Sequence, residues 1–373
     1  MKLNLDTDNF LAEYWQRKPL LVRNALPGFV APIDANELAG LAMEESVESR
    51  IITTLGDSWQ LQHGPFNETD FQGEHPWTLL VQAVDHYVPE VAALLKLVDF
   101  IPGWRVDDVM ISYAVDGGSV GPHYDNYDVF LLQGEGTRRW QLGQSCDSAS
   151  PILPHPELRI LADFECTAEH ILGPGDMLYI PPGVAHWGIA QGECTTFSLG
   201  FRAPRVNDML SRWVDELLEN IDAELFYSDA GQSAVTLAGE IRDEDIARAK
   251  EQLKAALQGE SFQHWFGELV TEPRYAPEVS EREIEEGRAL IRGTPSVVTL
   301  LPSAKLAWRQ NGTSIDVFAN GESLSFTESI RATVISLCKY RKLAGDSLEQ
   351  AQACPECHIL LDQLLSLGCI SIE

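Results

Sequence analysis

A succession of short apolar segments, separated by Gly and Pro turns, limits the fold of residues 109–204 more than any other feature. The segments are VMISYAV, YDVFLLQ, RRWQL, HILGPGDMLYIPPG and CTTFSLGFRAP. Many short strands with turn residues between them predict an antiparallel sandwich or barrel. The overall class is therefore predicted to be α+β, because helical patterns flank this stretch on both sides.

The N-terminal side is predicted to be mostly helical. The expected elements are helices over Asp8–Arg17, Glu37–Met43, Trp77–Tyr87 and Val91–Leu97, with the strand PLLVRNA turned by Pro27-Gly28.

After Pro204, apolar residues recur every three or four positions, which predicts a long helix. These residues are Met209, Leu210, Trp213, Val214, Leu217, Leu218, Ile221 and Leu225. Further helices are expected over Ala247–Leu257 and Phe262–Leu269, followed by a linker over 271–280. Such a stripe usually packs into a core. We favour a dimer interface, because the helix is long, contains an aromatic residue and lies outside the strand-rich stretch.

The C-terminal residues predict a third part with a small β-meander. The strands KLAWRQ, SIDVFA and ESLSF are joined at Asn311-Gly312 and Asn320-Gly321, and Asn-Gly is a strong hairpin signal. Helices are expected over Glu328–Lys339 and Pro355–Leu367, with Gly368 as the C-cap. Helices with a small meander resemble a winged helix. The predicted parts are therefore residues 1–205, 206–275 and 276–373.

The segment GPHYDNYDVF contains the pattern most indicative of chemistry. His123 and Asp125 are separated by one residue, and on a strand residues i and i+2 share a face. The segment GPGDMLYIPPGVAHWG ends near His186, on a strand that can pair with the first. Two histidines and one carboxylate form the facial triad of non-haem Fe(II) oxygenases, with three coordination positions open. His155 and His170 lack such framing and are interpreted as structural or exposed.

An Fe(II) site of this kind needs an electron donor to activate oxygen, and the common one is 2-oxoglutarate. Its distal carboxylate requires a cation, and arginine grips a carboxylate with two parallel hydrogen bonds. Arg138 shares a strand face with Trp140 and Leu142, so it is predicted to point inward, while Arg139 points outward. Ser112 on VMISYAV can supply a hydroxyl to the same carboxylate.

The motifs GPHYDNYDVFLLQGEGTRRW and GDMLYIPPGVAHWG, with the opening FLAEYWQRKPLLVRNA, resemble the Jumonji-C family. More narrowly they are similar to the bacterial ribosomal oxygenases, which hydroxylate an arginine of a large-subunit ribosomal protein. The resemblance implies a double-stranded β-helix (jelly-roll, cupin-like) catalytic domain over residues 1–205. A helical dimerisation region and a winged-helix-like domain would follow. It implies Fe(II) at His123, Asp125 and His186, and 2-oxoglutarate at Ser112 and Arg138, with O2 as the oxidant.

The resemblance also implies that the substrate is an arginine side chain, which is hydroxylated at its β-carbon. Carboxylates and aromatic faces recognise a guanidinium. Asp116, Tyr113 and Tyr127 are the residues near the motif that offer such groups. They are predicted to contact the substrate.

The balance of charge excludes several partners. Lys and Arg number 27 against 56 Asp and Glu, which gives a formal net charge of -29. Nucleic-acid phosphates and anionic membranes both require positive charge, so DNA and membrane binding are not expected. Residues 301–373 carry a net charge of -2, with no Lys or Arg after Lys342, which argues against a DNA-binding winged helix. A basic protein, such as a ribosomal protein, is the partner that this charge attracts.

The cysteines and the first residues bear on the compartment. MKLNLDTDNF has no apolar run, so no signal peptide is predicted and a cytoplasmic location is expected. Seven scattered cysteines are interpreted as reduced thiols. Cys354 to His358 match the CxxCH haem-attachment pattern and also half of a zinc site, with Cys338 and Cys369 as possible partners. Structural thiols are the favoured interpretation.

Two other functional classes stay open. A metal-dependent cupin enzyme that does not use 2-oxoglutarate, such as an isomerase, would not need Arg138. A non-catalytic module that binds basic protein tails would not need all three metal ligands. Within the Jumonji-C family, lysine demethylation is a further alternative.

Overall fold

The computed structural model describes residues 3–234, 237, 239–257, 264–275, 277, 279–293 and 295–373. The chain forms two units, Met1–Ala203 and Pro204–Glu373. No helix in the described ranges is both long enough and apolar enough to cross a membrane.

From residue 3 onward, the first unit contains three short α-helices and eleven strands. The helices are α1 (Thr7–Glu13), α2 (Ala35–Ala42) and α3 (Pro89–Ala92), with 3-10 turns at Glu68–Phe71, Val84–His86, Ala93–Val98 and Gly103–Arg105. The strands are β1 (Leu20–Val22), β2 (Ser49–Leu55), β3 (Ser58–His63), β4 (Trp77–Val81), β5 (Val106–Ala114), β6 (Val129–Gln133), β7 (Thr137–Ser145), β8 (Ala168–Leu172), β9 (Met177–Ile180), β10 (Val184–Gln191) and β11 (Cys194–Phe201).

These strands form two antiparallel sheets that enclose an interior. The larger sheet has the order β1-β9-β6-β11-β5-β4-β2-β3, and the smaller one has the order β10-β7-β8. Apolar residues from both sheets pack into one buried cluster, which contains Val129, Leu131, Trp140, Leu142, Leu172, Leu178 and Ile180. The antiparallel sandwich or barrel predicted from the short strands is confirmed. Its inner face is where a site between the sheets is built.

The outer face of the larger sheet is covered by the N-terminal segments. Phe10 of α1 is fully buried and meets the Tyr179 ring edge-on, with 4.8 Å between the ring centroids. Asp128 is also fully buried, and its carboxylate accepts hydrogen bonds from the Tyr179 hydroxyl at 2.5 Å and from the Gln16 amide at 3.0 Å. Arg105 completes the ion pair with Asp128 at 3.0 Å. A buried carboxylate with this many partners is fixed in place.

The predicted helix over Trp77–Tyr87 is wrong. Trp77–Val81 is strand β4, which pairs with β2 on one side and with β5 on the other, and all five residues are buried. A short apolar run that is buried on both faces has no alternation, so its periodicity does not distinguish a strand from a helix. Only Val84–His86 form a 3-10 turn. The neighbouring prediction over Val91–Leu97 is helical in the structure, as α3 followed by a 3-10 segment.

The second unit contains seven α-helices and six strands within its described residues. The helices are α4 (Val206–Asn220), α5 (Asp243–Leu257), α6 (His264–Thr271), α7 (Glu281–Arg292), α8 (Arg331–Tyr340), α9 (Asp346–Gln352) and α10 (Pro355–Ser366), with a 3-10 turn at Glu328–Ile330. The strands are β12 (Val297–Leu300), β13 (Leu306–Asn311), β14 (Ser314–Ala319), β15 (Glu322–Thr327), β16 (Lys342–Ala344) and β17 (Ile370–Ile372). Residues 262 and 263 of the predicted helix, and 276 and 278 of the predicted linker, lie outside the described residues.

The meander predicted near the C-terminus is confirmed as the sheet β13-β14-β15. Asn320 and Gly321 both have positive φ, at 48° and 88°, between β14 and β15. Two consecutive residues with positive φ give a turn that matches the twist of the strands it joins, which is why Asn-Gly is favoured there. The predicted C-cap Gly368 also has a positive φ of 64°.

Candidate metal centre

Three backbone hydrogen bonds bring the HxD segment against β10. His123 and His186 exchange amide hydrogen bonds, with His123 N to His186 O at 3.0 Å and His186 N to His123 O at 2.8 Å. The Gly183 amide donates to Asp125 O at 2.8 Å. The contact is an isolated bridge rather than a regular strand, so the expectation that His123 and Asp125 lie on a strand is corrected. The Pro181-Pro182-Gly183 turn leads from β9 into β10, as predicted.

The three predicted ligands converge in space. The ligand atoms of His123, Asp125 and His186 all lie within 4.8 Å of one another. His186 Nε2 is 3.7 Å from Asp125 Oδ2, and the two imidazole centroids are 4.3 Å apart. Two imidazoles and one carboxylate at this spacing match the donor set of a facial metal triad.

Hydrogen bonds to the backbone fix the tautomer of both histidines. His123 Nδ1 donates to the Gly121 carbonyl at 2.9 Å, and His186 Nδ1 donates to the Val184 carbonyl at 3.0 Å. A proton on Nδ1 leaves the lone pair of Nε2 for a metal. Both rings are therefore oriented for ligation before any ion arrives.

His186 is neutral at ordinary pH. It is 2% exposed, and burial, reinforced by the neighbouring His123, lowers the pKa of His186 to about 4. A metal ligand must be unprotonated, so this environment removes the competition of a proton for His186 at neutral pH.

Arg138 lies on the inner face, as its alternation with Trp140 and Leu142 predicts. It is 5% exposed, and its Nη1 donates to Ser112 Oγ at 3.2 Å. The contact crosses from β7 in the smaller sheet to β5 in the larger one. Arg139 is on the other face and pairs with Glu169 at 3.6 Å.

The guanidinium of Arg138 is not satisfied by the protein. Its Nε and Nη2 are buried and have no hydrogen-bond partner, and no carboxylate within the described ranges forms an ion pair with it. An unpaired buried cation is costly, so a fork of free N–H donors inside the fold fits an anionic ligand. Arg138 faces Ala190 on β10, four residues from His186 and on the same face, about 13 Å along the strand.

The three residues predicted to contact the substrate are placed differently. The charge of the Asp125 carboxylate raises the pKa of Tyr127, whose side chain is 43% exposed. Asp116 is exposed, and its Oδ1 accepts the Gly192 amide at 2.8 Å. Tyr113 is wrong as a neighbour of the triad. It lies on the face of β5 opposite to Ser112 and packs against Trp77, with 5.5 Å between the ring centroids.

Polar residues beside Ser112 were not predicted. Thr196 pairs with both Ser112 and Gln133, and its hydroxyl donates to the Gln133 side chain at 3.2 Å. Thr78 pairs with Ala114, two residues from Ser112, and its buried hydroxyl has no partner within the described residues. The sequence feature that could have identified these residues is a polar residue on the inner face of an otherwise apolar strand.

Comparison with known proteins gives matches over most of the chain. Residues 93–209 match the family described as the JmjC domain, and residues 250–370 match the ROXA-like winged helix. The chain is 35% identical to the ribosomal protein uL16 3-hydroxylase of Escherichia coli, over 93% of this chain and 94% of the relative. It is also 35% identical to a probable ribosomal oxygenase of Haemophilus influenzae, over 92% and 87% of the two chains.

Solved structures agree with these matches. The X-ray structure of E. coli ycfD superposes with a TM-score of 0.85 at 35% identity, covering 100% of this chain and 99% of that chain. A structure of the E. coli ribosomal oxygenase in complex with cobalt and 2-oxoglutarate superposes with a TM-score of 0.83 at 34% identity, with the same coverage.

Replacing His186 with Ala is expected to weaken Co²⁺ binding more than about 100-fold, because it removes one of the three ligands. Loss of a residue that only hydrogen-bonds to a ligand already lowers metal affinity about 10–100-fold. Titration calorimetry with Co²⁺ alone measures this. His170→Ala on β8 is the matched control and should bind like the wild type. Equal affinity of the His186→Ala variant would contradict the assignment.

Proposed function

The chain belongs to the JmjC-domain ribosomal oxygenases, which are 2-oxoglutarate-dependent dioxygenases, and we propose that it hydroxylates the β-carbon of an arginine in ribosomal protein uL16. The observation that supports this most directly is the pairing of a His-Asp-His triad with a buried arginine that lacks a protein carboxylate. The name 3-hydroxylase of the E. coli relative is consistent with the position, since carbon 3 of an amino acid is its β-carbon.

The residues present fit Fe(II) and 2-oxoglutarate. His123, Asp125 and His186 would hold the metal, and their three donors leave coordination positions for a chelating cosubstrate and for oxygen. When bound, Fe(II), 2-oxoglutarate and O2 supply the oxidation, which yields a hydroxylated carbon, succinate and carbon dioxide.

Buried polar side chains form the proposed cosubstrate site. Arg138 would grip the distal carboxylate with its free Nε and Nη2, and Ser112, already at 3.2 Å from Arg138 Nη1, would add a hydroxyl. The buried side chains of Thr196 and Gln133, which are hydrogen-bonded to each other, add further polar groups on this face. The apolar cluster between the sheets excludes water from the remainder of the interior, which protects a reactive centre.

Recognition of the substrate guanidinium is assigned to Asp116 and Tyr127. Asp116 is exposed, and its Oδ1 accepts a hydrogen bond from the Gly192 amide. Tyr127 lies against Asp125, so its ring is close to the metal ligands. Residues 1–205 carry a net charge of -16, which attracts a basic ribosomal protein from a distance. Such attraction weakens as salt increases, over a screening length of about 8 Å at physiological ionic strength.

The second unit is proposed to form a homodimer through residues 206–275, followed by a winged-helix-like domain that does not bind DNA. Large apolar side chains are exposed along this stretch, and they include Val206, Leu210, Leu218, Leu225, Phe226, Ile241, Ile246 and Leu253. Large exposed apolar patches usually mark an interface. The small net charge of residues 301–373, which is -2, supports a role other than phosphate binding.

Incubation of the protein with Fe(II), 2-oxoglutarate and uL16 is expected to add the mass of one oxygen atom to one arginine of uL16. Fragment mass spectrometry localises the gain to the β-carbon. Asp116→Ala should raise KM for uL16, because a carboxylate facing the guanidinium is lost. If succinate forms but uL16 gains no mass, the substrate assignment is wrong while the oxygenase chemistry stands.

Arg138→Met is expected to raise the Kd of 2-oxoglutarate by at least about tenfold in the Co²⁺-loaded protein, since losing one partner of a buried ion pair typically costs about 2–5 kcal/mol. Arg138→Lys keeps the charge but loses the fork, so an intermediate Kd is expected. Arg139→Met on the outer face is the matched control. Calorimetry measures all three, and unchanged binding to Arg138→Met would refute the role.

Leu218→Glu is expected to convert the dimer to a monomer in sedimentation equilibrium, because a charge at a 65% exposed apolar position cannot be buried without a partner. Ile359→Glu is the matched control, since Ile359 is 54% exposed on α10. A wild-type chain that sediments as a monomer, or a Leu218→Glu variant that stays dimeric, would overturn the proposed interface.

A further inference from the structure

Two cysteines stand three residues apart at the start of α10, in the second unit. Cys354 is the N-cap residue, Pro355 opens the helix and Cys357 lies in its first turn. The Cys357 amide donates to the Cys354 carbonyl at 3.1 Å, so the two residues are held in one helical turn. A Cys-X-X-Cys pair at a helix N-terminus is the arrangement in which a thiolate is stabilised and a second thiol is within reach.

The two thiols differ in access. Cys354 is partly exposed, and its Sγ lies 3.6 Å from Ser329 Oγ. Cys357 is 1% exposed, and its Sγ lies 3.2 Å from Thr333 Oγ1. One sulfur can therefore meet a partner from solution, while the other can be reached only through its neighbour.

The pKa values of the two thiols differ in the same sense as their exposure. Burial opposes ionisation of Cys354, but the Cys357 thiol, Ser329 and the first amides of the helix bring the pKa of Cys354 below its ordinary value. Burial, and to a smaller extent the Cys354 sulfur, raise the pKa of Cys357 to about 12. At neutral pH the exposed sulfur is the stronger nucleophile of the two.

A metal site does not account for the pair. Within the described part of the chain, the group of three or more ligands that is spaced to hold an ion is the triad in the first unit. Cys338 and Cys369 do not join Cys354 and Cys357 in such a group. The half zinc site considered from the sequence is therefore incomplete.

We propose that Cys354 and Cys357 form a thiol–disulfide exchange site, which takes small disulfides such as glutathione disulfide as its oxidant. The Cys354 thiolate attacks one sulfur of glutathione disulfide, which forms a mixed disulfide and releases one glutathione thiolate. The Cys357 thiol then loses its proton to solvent and attacks the Cys354 sulfur. That step closes the Cys354–Cys357 disulfide and releases the second glutathione, so two protein thiols are oxidised and one disulfide is reduced.

The test uses the full chain, reduced and then equilibrated with glutathione disulfide at pH 7 before alkylation and mass spectrometry. The segment that contains both cysteines is expected to lose the mass of two hydrogen atoms and to carry no glutathione. Cys166 is exposed and serves as the internal control. It should end as a glutathione adduct.

Two variants separate the steps. Cys357→Ser should accumulate glutathione on Cys354, because no second thiol resolves the mixed disulfide. Cys166→Ser should leave the Cys354–Cys357 disulfide unchanged. Before oxidation, Cys354 of the wild type should react with iodoacetamide at pH 7 at least about fivefold faster than Cys166, since the thiolate is the reacting form.

Two results would overturn the proposal, and both are obtained with the wild-type chain, so they do not depend on a variant that folds. One is a stable glutathione adduct on Cys354 with Cys357 still free to be alkylated after unfolding. The other is full alkylation of both cysteines after Cys166 has been converted. Neither result bears on the oxygenase site, which lies in the other unit.

Discussion

The reciprocal backbone hydrogen bonds between His123 and His186 are the contact on which the metal centre depends. They join a loop after β5 to the start of β10, across 63 positions of the sequence. Because each histidine is both a partner in this bridge and a candidate ligand, the backbone pairing itself brings the two candidate ligands together. The carbonyls that accept from each Nδ1 belong to residues two positions away, so local chain geometry sets the orientation of both rings.

Arg138 is held differently from the two histidines. Its guanidinium is buried, and two of its nitrogens have no hydrogen-bond partner within the described residues, an arrangement that is costly unless an anion pairs with it. An incoming carboxylate would supply the missing partners, which is the basis of the proposed 2-oxoglutarate site, in an interior that Trp140 and Leu142 keep apolar.

Prediction from the sequence succeeded where a single local pattern, either strand alternation or a turn motif, determined the structure. Alternation placed Arg138 inward and Arg139 outward, and turn chemistry placed Asn320-Gly321 between two strands. It failed at Trp77–Val81, because a strand covered on both faces loses the alternation that marks it. Tyr113 was misplaced since nearness along the chain says nothing about the face of a strand. Thr78 and Thr196 were missed because their polar role exists only once distant strands pair.

The buried carboxylate of Asp128 has a consequence for how the first unit comes apart. Its partners Gln16, Arg105 and Tyr179 come from the N-terminal segment, the approach to β5 and strand β9. Gln16 donates to Asp128 from its side-chain amide, and its backbone amide donates to the Tyr179 hydroxyl at 2.7 Å. A segment that is tied to a buried ion pair does not fray independently. Residues 3–17 and the strands that they contact thus belong to one cooperative unit, and exchange of the Gln16 backbone amide reports opening of the barrel itself.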